Sequence, residues 1–528
     1  MNKKKLLLNI NWCVVVFLLL GVLFKLFVTA DGTYIFHMDS ARDYVDVREM
    51  VELKKPRLIG QTSAIEGFYN GPGWYYFLAI PYILFDGDPY SGVFLMIVLW
   101  AIGGYFLYFI LRKYGLMAWI SGLLIWFGSP YISLTTVYSF NPHPILYLTP
   151  VFVFLLERYL KTEKIWYGIS TAILAAFFFQ WEMNTGVFIP IVIFIMIFLT
   201  RKSGLFKTKG FWISILVYSC SFLPQLFFDL KHNFIMSQAV LRFLGEGGAG
   251  KVAFSEKLYH TWDVFFGAFT PTMLNSAWMV NSILVLFVIV SAIAIAYKKR
   301  EIFNHIDTTL SIFLLLIIVP FIGYLVLPVN IHPWHMVSVV AAYIGITAFI
   351  IHSLQKNFPI GWGLIAFFMV FCLLGTVKAV SSGISEHGSA STDPSSMKNE
   401  LLAIDYAYEQ AGGKNFKAYS YLPSLIDYPY QYSYWWYGLK KYGYTPTDYT
   451  YLPNRPQYIS NKDFFIKPKE GVEDSQYIML IKEPDRIKMR YLWEGNFDHN
   501  ELVKKDTIGP LEVEVRQASR SAMINSAL

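Results

Sequence analysis

Cysteine is scarce in this chain, with three in 528 residues. Cys13, Cys220 and Cys372 each fall inside an apolar run, where a thiol reads as a small buried hydrophobe. Three thiols so placed build neither a disulfide framework nor a metal cluster, and no His/Cys ligand spacing stands in for one. Charge is also sparse. Asp, Glu, Lys and Arg make up 15% of residues and hydrophobic types 55%, with mean hydropathy +0.42. A soluble domain carries roughly 25% charged residues. The composition therefore excludes an ordinary soluble protein and points to one that lives in a bilayer. The formal charge of +7 is no nucleic-acid footprint, because membrane proteins gather Lys and Arg in cytoplasmic loops.

Eleven apolar runs approach the roughly 17–25 residues that a helical span needs: 6–30, 89–111, 116–131, 145–160, 165–179, 185–200, 211–228, 280–297, 310–327, 336–354 and 360–380. A twelfth, 74–85, is short and interrupted by Pro81, and reads as an interfacial helix. The N-terminal MNKKK and its apolar run resemble a signal peptide. The run is about twice an h-region in length and lacks a small-x-small cleavage site, which favours a retained span.

The basic residues set an orientation. With the N-terminus cytoplasmic, alternate loops carry Lys3 to Lys5, Arg112 and Lys113, Arg158, Lys161 and Lys164, then Arg201, Lys202, Lys207 and Lys209, Lys298 to Arg300, and Lys356. The opposing short loops SFNPHP, QWEMN and PVNIHPW have neither Lys nor Arg. This asymmetry places 31–88, 229–278, the loop around His332 and everything after Val380 outside the cytoplasm. There the composition changes. The Ser/Gly-rich stretch 381–396 reads as a linker from a membrane domain at 1–380 to an extracytoplasmic domain at 397–528. Within the latter, MKNELLAIDYAYEQAGG is helix-like, and FKAYSYL, YIMLIKE and LEVEVRQ are strand-like, which predicts a small α/β fold. Its aromatic run DYPYQYSYWWYGLKKYGY reads first as packing and second as a grip on sugar rings.

The stretch HMDSARDYVDVREM, just after the first run, is the most informative. On a helix Asp39, Arg42, Asp43, Asp46 and Glu49 fall three and four apart and share a face. That predicts an amphipathic helix on the outer leaflet, its acidic face turned from lipid. Capping by Asp39 or Ser40 accounts for one carboxylate, and leaves Arg42 among the acids unexplained.

This stretch, followed by NGPGWYYFLAIPYILFDGDPYS and a span that ends in Arg-Lys, resembles the first extracytoplasmic loop of the GT-C glycosyltransferases. Within them it is most similar to the branch of the protein O-mannosyltransferases and lipid A aminoarabinose transferases. SFNPHPILYLTPVFVFLLERYL, FFFQWEMNTGVF, FLPQLFFDLKHNF and NIHPWHM resemble later landmarks of bacterial members, so the likeness runs over about the first 380 residues. It implies a mainly α polytopic protein of about eleven spans, with interfacial helices in the first loop. It also implies transfer of a sugar from a polyprenyl-phosphate donor to a hydroxyl or glycan of a protein, lipid or glycan acceptor, with inversion, at the plasma (inner) membrane. Many members have Asp-Glu where this chain has Asp39 and Ser40, which leaves Asp43 as the candidate for any second acid.

The chemistry fits such a donor. Its leaving group is a phosphate monoester with a second pKa of about 6, which departs without a general acid. One base then suffices, and the resemblance assigns that role to Asp39. The phosphate needs cations or N–H groups, drawn from Arg42, Lys54, Lys55, Arg57, Lys231, His232, Arg242, Lys251, His332 and His335. Lys54, Lys55 and Arg57 read first as a headgroup patch. Lys231 and His232, at a span exit, divide evenly between donor cavity and surface, and His335, beside Trp334, between phosphate and interfacial packing. Glu182 is a carboxylate near an interface, where ionisable groups face a cavity or one another. Asn141 and His143 read as parts of a Pro-rich turn, and Glu66 as a loop charge before a second acid. GEGGAGKV matches a phosphate loop only superficially, because Val252 stands where Ser or Thr should hold magnesium. A glycine-rich lid is the alternative there. Asp39 and Asp43 could hold a divalent ion, although no cofactor is required and metal independence is expected. Two other functions stay open: a transporter or flippase for lipid-linked glycans, and an assembly protein that uses its tail as a binding module.

Overall fold

The computed structural model describes residues 3–63, 65–245, 253–273, 307–327, 329–357, 361–388, 391–453 and 458–517. Helix α1 (Lys3–Thr29) leads into two loop helices, α2 (Met38–Glu52) and α3 (Gly73–Leu84). Then come α4 (Tyr90–Leu111), α5 (Leu116–Gly128), α6 (Pro130–Thr136), α7 (His143–Thr162), α8 (Ile165–Trp181), the single turn α9 (Met183–Gly186), α10 (Phe188–Leu199) and α11 (Lys209–Cys220). The helical region closes with α12 (Leu223–Lys231), α13 (Ile235–Gly245), α14 (Phe254–Thr272), α15 (Thr308–Val326), α16 (Val337–Asn357) and α17 (Gly361–Glu386).

The run 280–297 and residues 246–252 of the glycine-rich segment lie outside the described residues. Every other predicted run is helical. Among the described residues, five helices are long and apolar enough to cross a membrane, or seven if each of two bent pairs counts as one span. Both bends have a proline at their origin. Pro130 opens α6 at its first turn, where it removes a helical N–H, and Ser129 Oγ accepts from Ile132 N at 3.3 Å to start the new helix. The axes of α5 and α6 then differ by 54°. Pro224 sits likewise in the first turn of α12, which turns 42° from α11.

The helices are held by a core in which Trp74, Trp100, Trp126 and Trp181 are fully buried. A buried indole needs an acceptor. Trp100 and Trp126 supply one another, each Nε1–H donating to the other's carbonyl at 3.1 and 3.0 Å, which ties α4 to α5. Helix α3 turns Tyr76, Ile80, Ile83 and Leu84 outward along one face and buries Trp74, Tyr75, Leu78 and Tyr82, as an interfacial helix does. Its NGPG entrance is packed against α8. A Cβ on Gly71 would lie 1.7 Å from Gln180 Oε1, which accepts from Gly73 N at 3.3 Å, so a side chain there would push the Gln180 amide out of this contact.

Helix α2 departs from expectation. It does not rest on a lipid surface: Ala41, Tyr44 and Val47 are 0% exposed and Arg48 is 1% exposed. Its second face is covered by the C-terminal part of the chain, because an amphipathic pattern looks the same whether protein or lipid will cover it. Neither Asp39 nor Ser40 caps it. His37 is the N-cap, and Ser40 Oγ donates to His37 O at 2.9 Å.

The C-terminal part comprises α18 (Met397–Ala411), β1 (Asn415–Tyr421), α19 (Tyr428–Tyr442), β2 (Asp448–Thr450), β3 (Asp474–Lys482), α20 (Arg490–Glu494), β4 (Glu501–Ile508) and β5 (Leu511–Gln517). The sheet order is β2-β1-β3-β5-β4. β1 runs parallel to β2 and β3, and β5 antiparallel to β3 and β4. The aromatic run forms α19, whose Tyr430, Tyr432 and Tyr434 are buried. These tyrosines pack within the protein. The segments 381–388 and 391–396 are more ordered than a linker. α17 continues to Glu386, and Phe36 N and Met397 N donate to Ser395 O and Tyr34 O, each at 2.9 Å. Serine-rich composition signals weak local preference, and the first loop supplies the missing order as an edge.

This part docks on α2 through Arg48. Its guanidinium lies 3.8 Å from the ring centroid of Phe465 and 5.0 Å from that of Trp435. Asn461 Nδ2 donates to Glu49 at 2.9 Å, and Lys398 pairs with Asp31 at 2.9 Å. Arg48→Ala removes the stacked cation from a desolvated site worth about 2 kcal/mol. Faster hydrogen exchange in α19 and in the 461–465 segment is the expected result.

Candidate active site

A cavity of about 560 Å³ opens where α2, the α8–α9 junction, the segment before α16 and the C-terminal part converge. Asp39, Arg42, Glu182, Asn184, His332 and His335 all contribute to its wall.

The acidic face of α2 is divided into two ion-pair groups. Arg42 reaches backward to Asp39 Oδ1 at 2.9 Å, and its Nε and Nη2 donate to Asp43 Oδ1 at 3.1 and 2.9 Å. One turn on, Arg57 bridges Asp46 at 2.7 Å and Glu49 at 2.9 Å. Asp43 is wholly buried beneath the cavity. It also accepts from Trp74 Nε1 at 2.7 Å and Gln61 Nε2 at 3.3 Å. Burial, partly offset by Arg42, pushes its carboxyl up to about 6. With its oxygens so engaged, Asp43 fixes the guanidinium rather than meeting a ligand. Asp39 differs. Its side chain is 27% exposed, Oδ1 is held by Arg42, and among the described residues Oδ2 has only the Tyr138 hydroxyl at 3.5 Å. The carboxylate is thus oriented through one oxygen and open through the other.

Opposite lies a second constellation. Glu182 ends α8 and caps α9, where its Oε1 accepts from Asn184 N at 3.2 Å. The Asn184 amide lies 2.9 Å from Glu182 Oε1 and 3.3 Å from His335 Nε2. His335 Nδ1 accepts from the His332 backbone N–H at 3.2 Å. That contact requires an unprotonated Nδ1, so the ring is neutral and its proton sits on Nε2. Nε2–H needs an acceptor. The Asn184 amide offers one when its oxygen faces the ring, and the same oxygen then meets Glu182, which favours the protonated acid. Burial works in the same direction and pushes Glu182 up to about 7. A carboxyl raised on folding stabilises the protein fully below its unfolded value of about 4.3, and the contribution fades as pH rises through about 7. Glu182→Gln should therefore flatten the fall in melting temperature across that window.

The remaining candidates lie elsewhere. Glu66 is exposed on its turn, outside the cavity wall. Lys231 and His232 are exposed at the end of α12. The His232 ring stacks on Phe228 with centroids 4.0 Å apart, and its Nδ1 contacts Phe228 O at 2.8 Å. The buried member of that motif is Asp229, which accepts from Met236 N at 2.7 Å and Ser237 N at 3.3 Å and closes the turn into α13. Asn141 and His143 do form a turn, with His143 Nδ1 2.7 Å from Tyr138 O, and Asn141 also reaches the cavity wall. Among the other lining residues, Tyr138, Gln61 and Arg486 carried no motif that would single them out. Arg486 comes from the turn after β3, and only the folded chain brings it to α2.

Asp39 and Asp43 are joined through Arg42, so a cation between them would have to displace the guanidinium. Among the described residues, the carboxylate group with metal-holding geometry is Glu494, Glu512 and Glu514, and Lys482 Nζ already pairs with all three.

No protein-family model matches the sequence, and no curated protein matches it. Solved structures do. The chain is similar to ArnT from Cupriavidus metallidurans bound to undecaprenyl phosphate, with a TM-score of 0.57 and 12% identity over 95% of this chain and 97% of that one. The apo state of the same protein aligns at a TM-score of 0.56 and 13% identity, with the same coverage. At such identity the likeness is one of fold, and it spans both the helical region and the C-terminal sheet. The chain is a multi-pass membrane protein that shares the fold of these structures.

Proposed function

We propose that this protein is a glycosyltransferase that takes a sugar from a polyprenyl-phosphate donor and works on the extracytoplasmic face of the plasma (inner) membrane. The observation that carries this reading is the Asp39 carboxylate, held through one oxygen by Arg42 and turned through the other into the cavity. Support comes from the fold shared with ArnT, whose structure holds undecaprenyl phosphate, and from the basic residues of one set of loops, which the opposing short loops SFNPHP, QWEMN and PVNIHPW lack.

In this mechanism the acceptor hydroxyl attacks the anomeric carbon from the face opposite the phosphate. Its proton passes to Asp39 Oδ2, the bond from the anomeric carbon to the phosphate oxygen breaks, and the electron pair leaves with the polyprenyl phosphate. The anomeric centre inverts. Oxocarbenium character in such a transition state is met by the Asp39 carboxylate, which Arg42 holds in place. Arg42 is occupied by two carboxylates and His335 is neutral, so the phosphate charge falls to Arg486, whose side chain makes no ion pair among the described residues. Arg486→Ala then loses a charge-assisted hydrogen bond worth about 1.5–3 kcal/mol. KM for the donor should rise about tenfold or more, with kcat little changed.

The reading is tested by mass spectrometry of cell-envelope glycans from a strain lacking the gene, complemented with wild type or with the Asp39→Asn variant. A sugar residue missing from the deletion strain and restored by wild type alone supports transfer, and its attachment point identifies the acceptor. An unchanged glycan profile overturns it.

A further inference from the structure

A second cavity, of about 530 Å³, lies between α1, the α5–α6 bend and α17. It holds a buried cation that the transfer chemistry leaves unused. Lys25 is 6% exposed, although it lies one turn from the end of α1. A lysine so near a helix end ordinarily extends its ammonium to the interface. Here Nζ turns inward and donates to Thr136 Oγ1 at 3.1 Å, 5.0 Å from the ring centroid of Trp100 and 5.9 Å from that of Phe127. An ammonium has three donors, and among the described residues Lys25 forms no ion pair. A lone charge inside a span is costly and generally marks a ligand or ion path.

The walls are suited to hydrocarbon, with Phe24, Val28, Phe127 and Leu134 among them. The other charged lining residues are Lys378, Glu386 and Asp393, one basic and two acidic. They oppose a second negative charge beside Lys25, so the site matches a monoanion better than a dianion. We infer that this groove binds a phosphodiester phospholipid of net charge −1, its phosphate on Lys25 Nζ and its acyl chains along the wall between α1 and α17. Ile35, Leu134 and Asp393 line this cavity and the Asp39 cavity alike. A lipid seated here therefore backs one wall of the candidate active site without occupying it.

The test uses the full-length protein in a neutral detergent, titrated with dioleoylphosphatidylglycerol, undecaprenyl phosphate or dioleoylglycerol and read by native mass spectrometry. Lys25→Met should weaken phosphatidylglycerol binding about tenfold, the loss of one charge-assisted contact. Lys25→Arg should keep it, and dioleoylglycerol should bind both variants equally. Equal phosphatidylglycerol binding by wild type and Lys25→Met overturns the inference. So does a dependence on Lys25 confined to undecaprenyl phosphate, which would assign the groove to the donor. Asp39→Asn should bind phosphatidylglycerol as wild type does, so failure of the lipid site and failure of the transferase reading are separate results.

Discussion

Asp39→Asn is expected to reduce turnover by about 10²–10⁴, the contribution of a positioned general base, and to leave the melting temperature unchanged. The contrast comes from how the carboxylate is held. Arg42 donates to Oδ1 at 2.9 Å, a contact that an amide oxygen can also accept, so the helix and its guanidinium should stay in place. The atom that changes character is the one facing the cavity, which no longer accepts a proton. Donor KM should therefore move little while kcat falls. Asp43→Asn makes the complementary case. Asp43 is wholly buried and accepts from Arg42, Gln61 and Trp74, and an amide there must turn an NH₂ group toward one of these donors. Breaking a buried pair of this kind costs about 3–5 kcal/mol, so lost stability should accompany any lost activity. If Asp39→Asn keeps more than a tenth of wild-type turnover, the base lies elsewhere.

The two neighbouring acids also show how far the sequence could be read. Spacing alone put Asp39, Arg42 and Asp43 on one face, and Arg42 does join the two carboxylates. Which acid meets the cavity was not legible. That depends on Trp74 and Gln61, which approach Asp43 from elements 18 to 31 residues away, and helical periodicity carries no information about them. The apolar runs that fall in the described residues are helical as read, because a span's composition is set locally by its solvent. The cover over α2 was not legible, since Phe465 and Trp435 lie more than 380 positions from Arg48 in the chain. Lys231 and His232 were attractive for their position at a span exit, yet the α12–α13 turn spends Asp229 on closing itself and leaves both basic side chains outside. Arg486 had no local signal, because a single arginine in a KEPDR turn resembles any surface charge until the sheet carries it to the cavity.

Lys482→Met is expected to destabilise the C-terminal sheet by about 3 kcal/mol, near the lower end for stripping a partner from a buried ion pair. Lys482 is 1% exposed on β3, directly opposite Glu512 on β5. Its Nζ pairs with Glu494 at 2.8 Å, Glu514 at 2.6 Å and Glu512. Lys505, Arg490 and Arg516 contact the same acids from outside, which keeps the loss from being larger. Burial alone would raise the Glu512 carboxyl, but hydrogen bonds from Lys482 and Lys505 bring it down to about 2. A carboxyl lowered on folding contributes fully above its unfolded value of about 4.3, and that contribution disappears as pH falls toward about 2. Wild type should accordingly lose sheet stability across that acid range. In Lys482→Met three carboxylate oxygens within 4.8 Å of one another lack their central cation, so protonation relieves repulsion and the slope should weaken or reverse. Oxygen ligands so arranged also suit calcium. Millimolar calcium should therefore restore hydrogen-exchange protection to β3 and β5 in the variant and leave wild type, whose site is filled by Nζ, unaffected. Equal protection in variant and wild type without calcium would show that the outer cations already balance the acids.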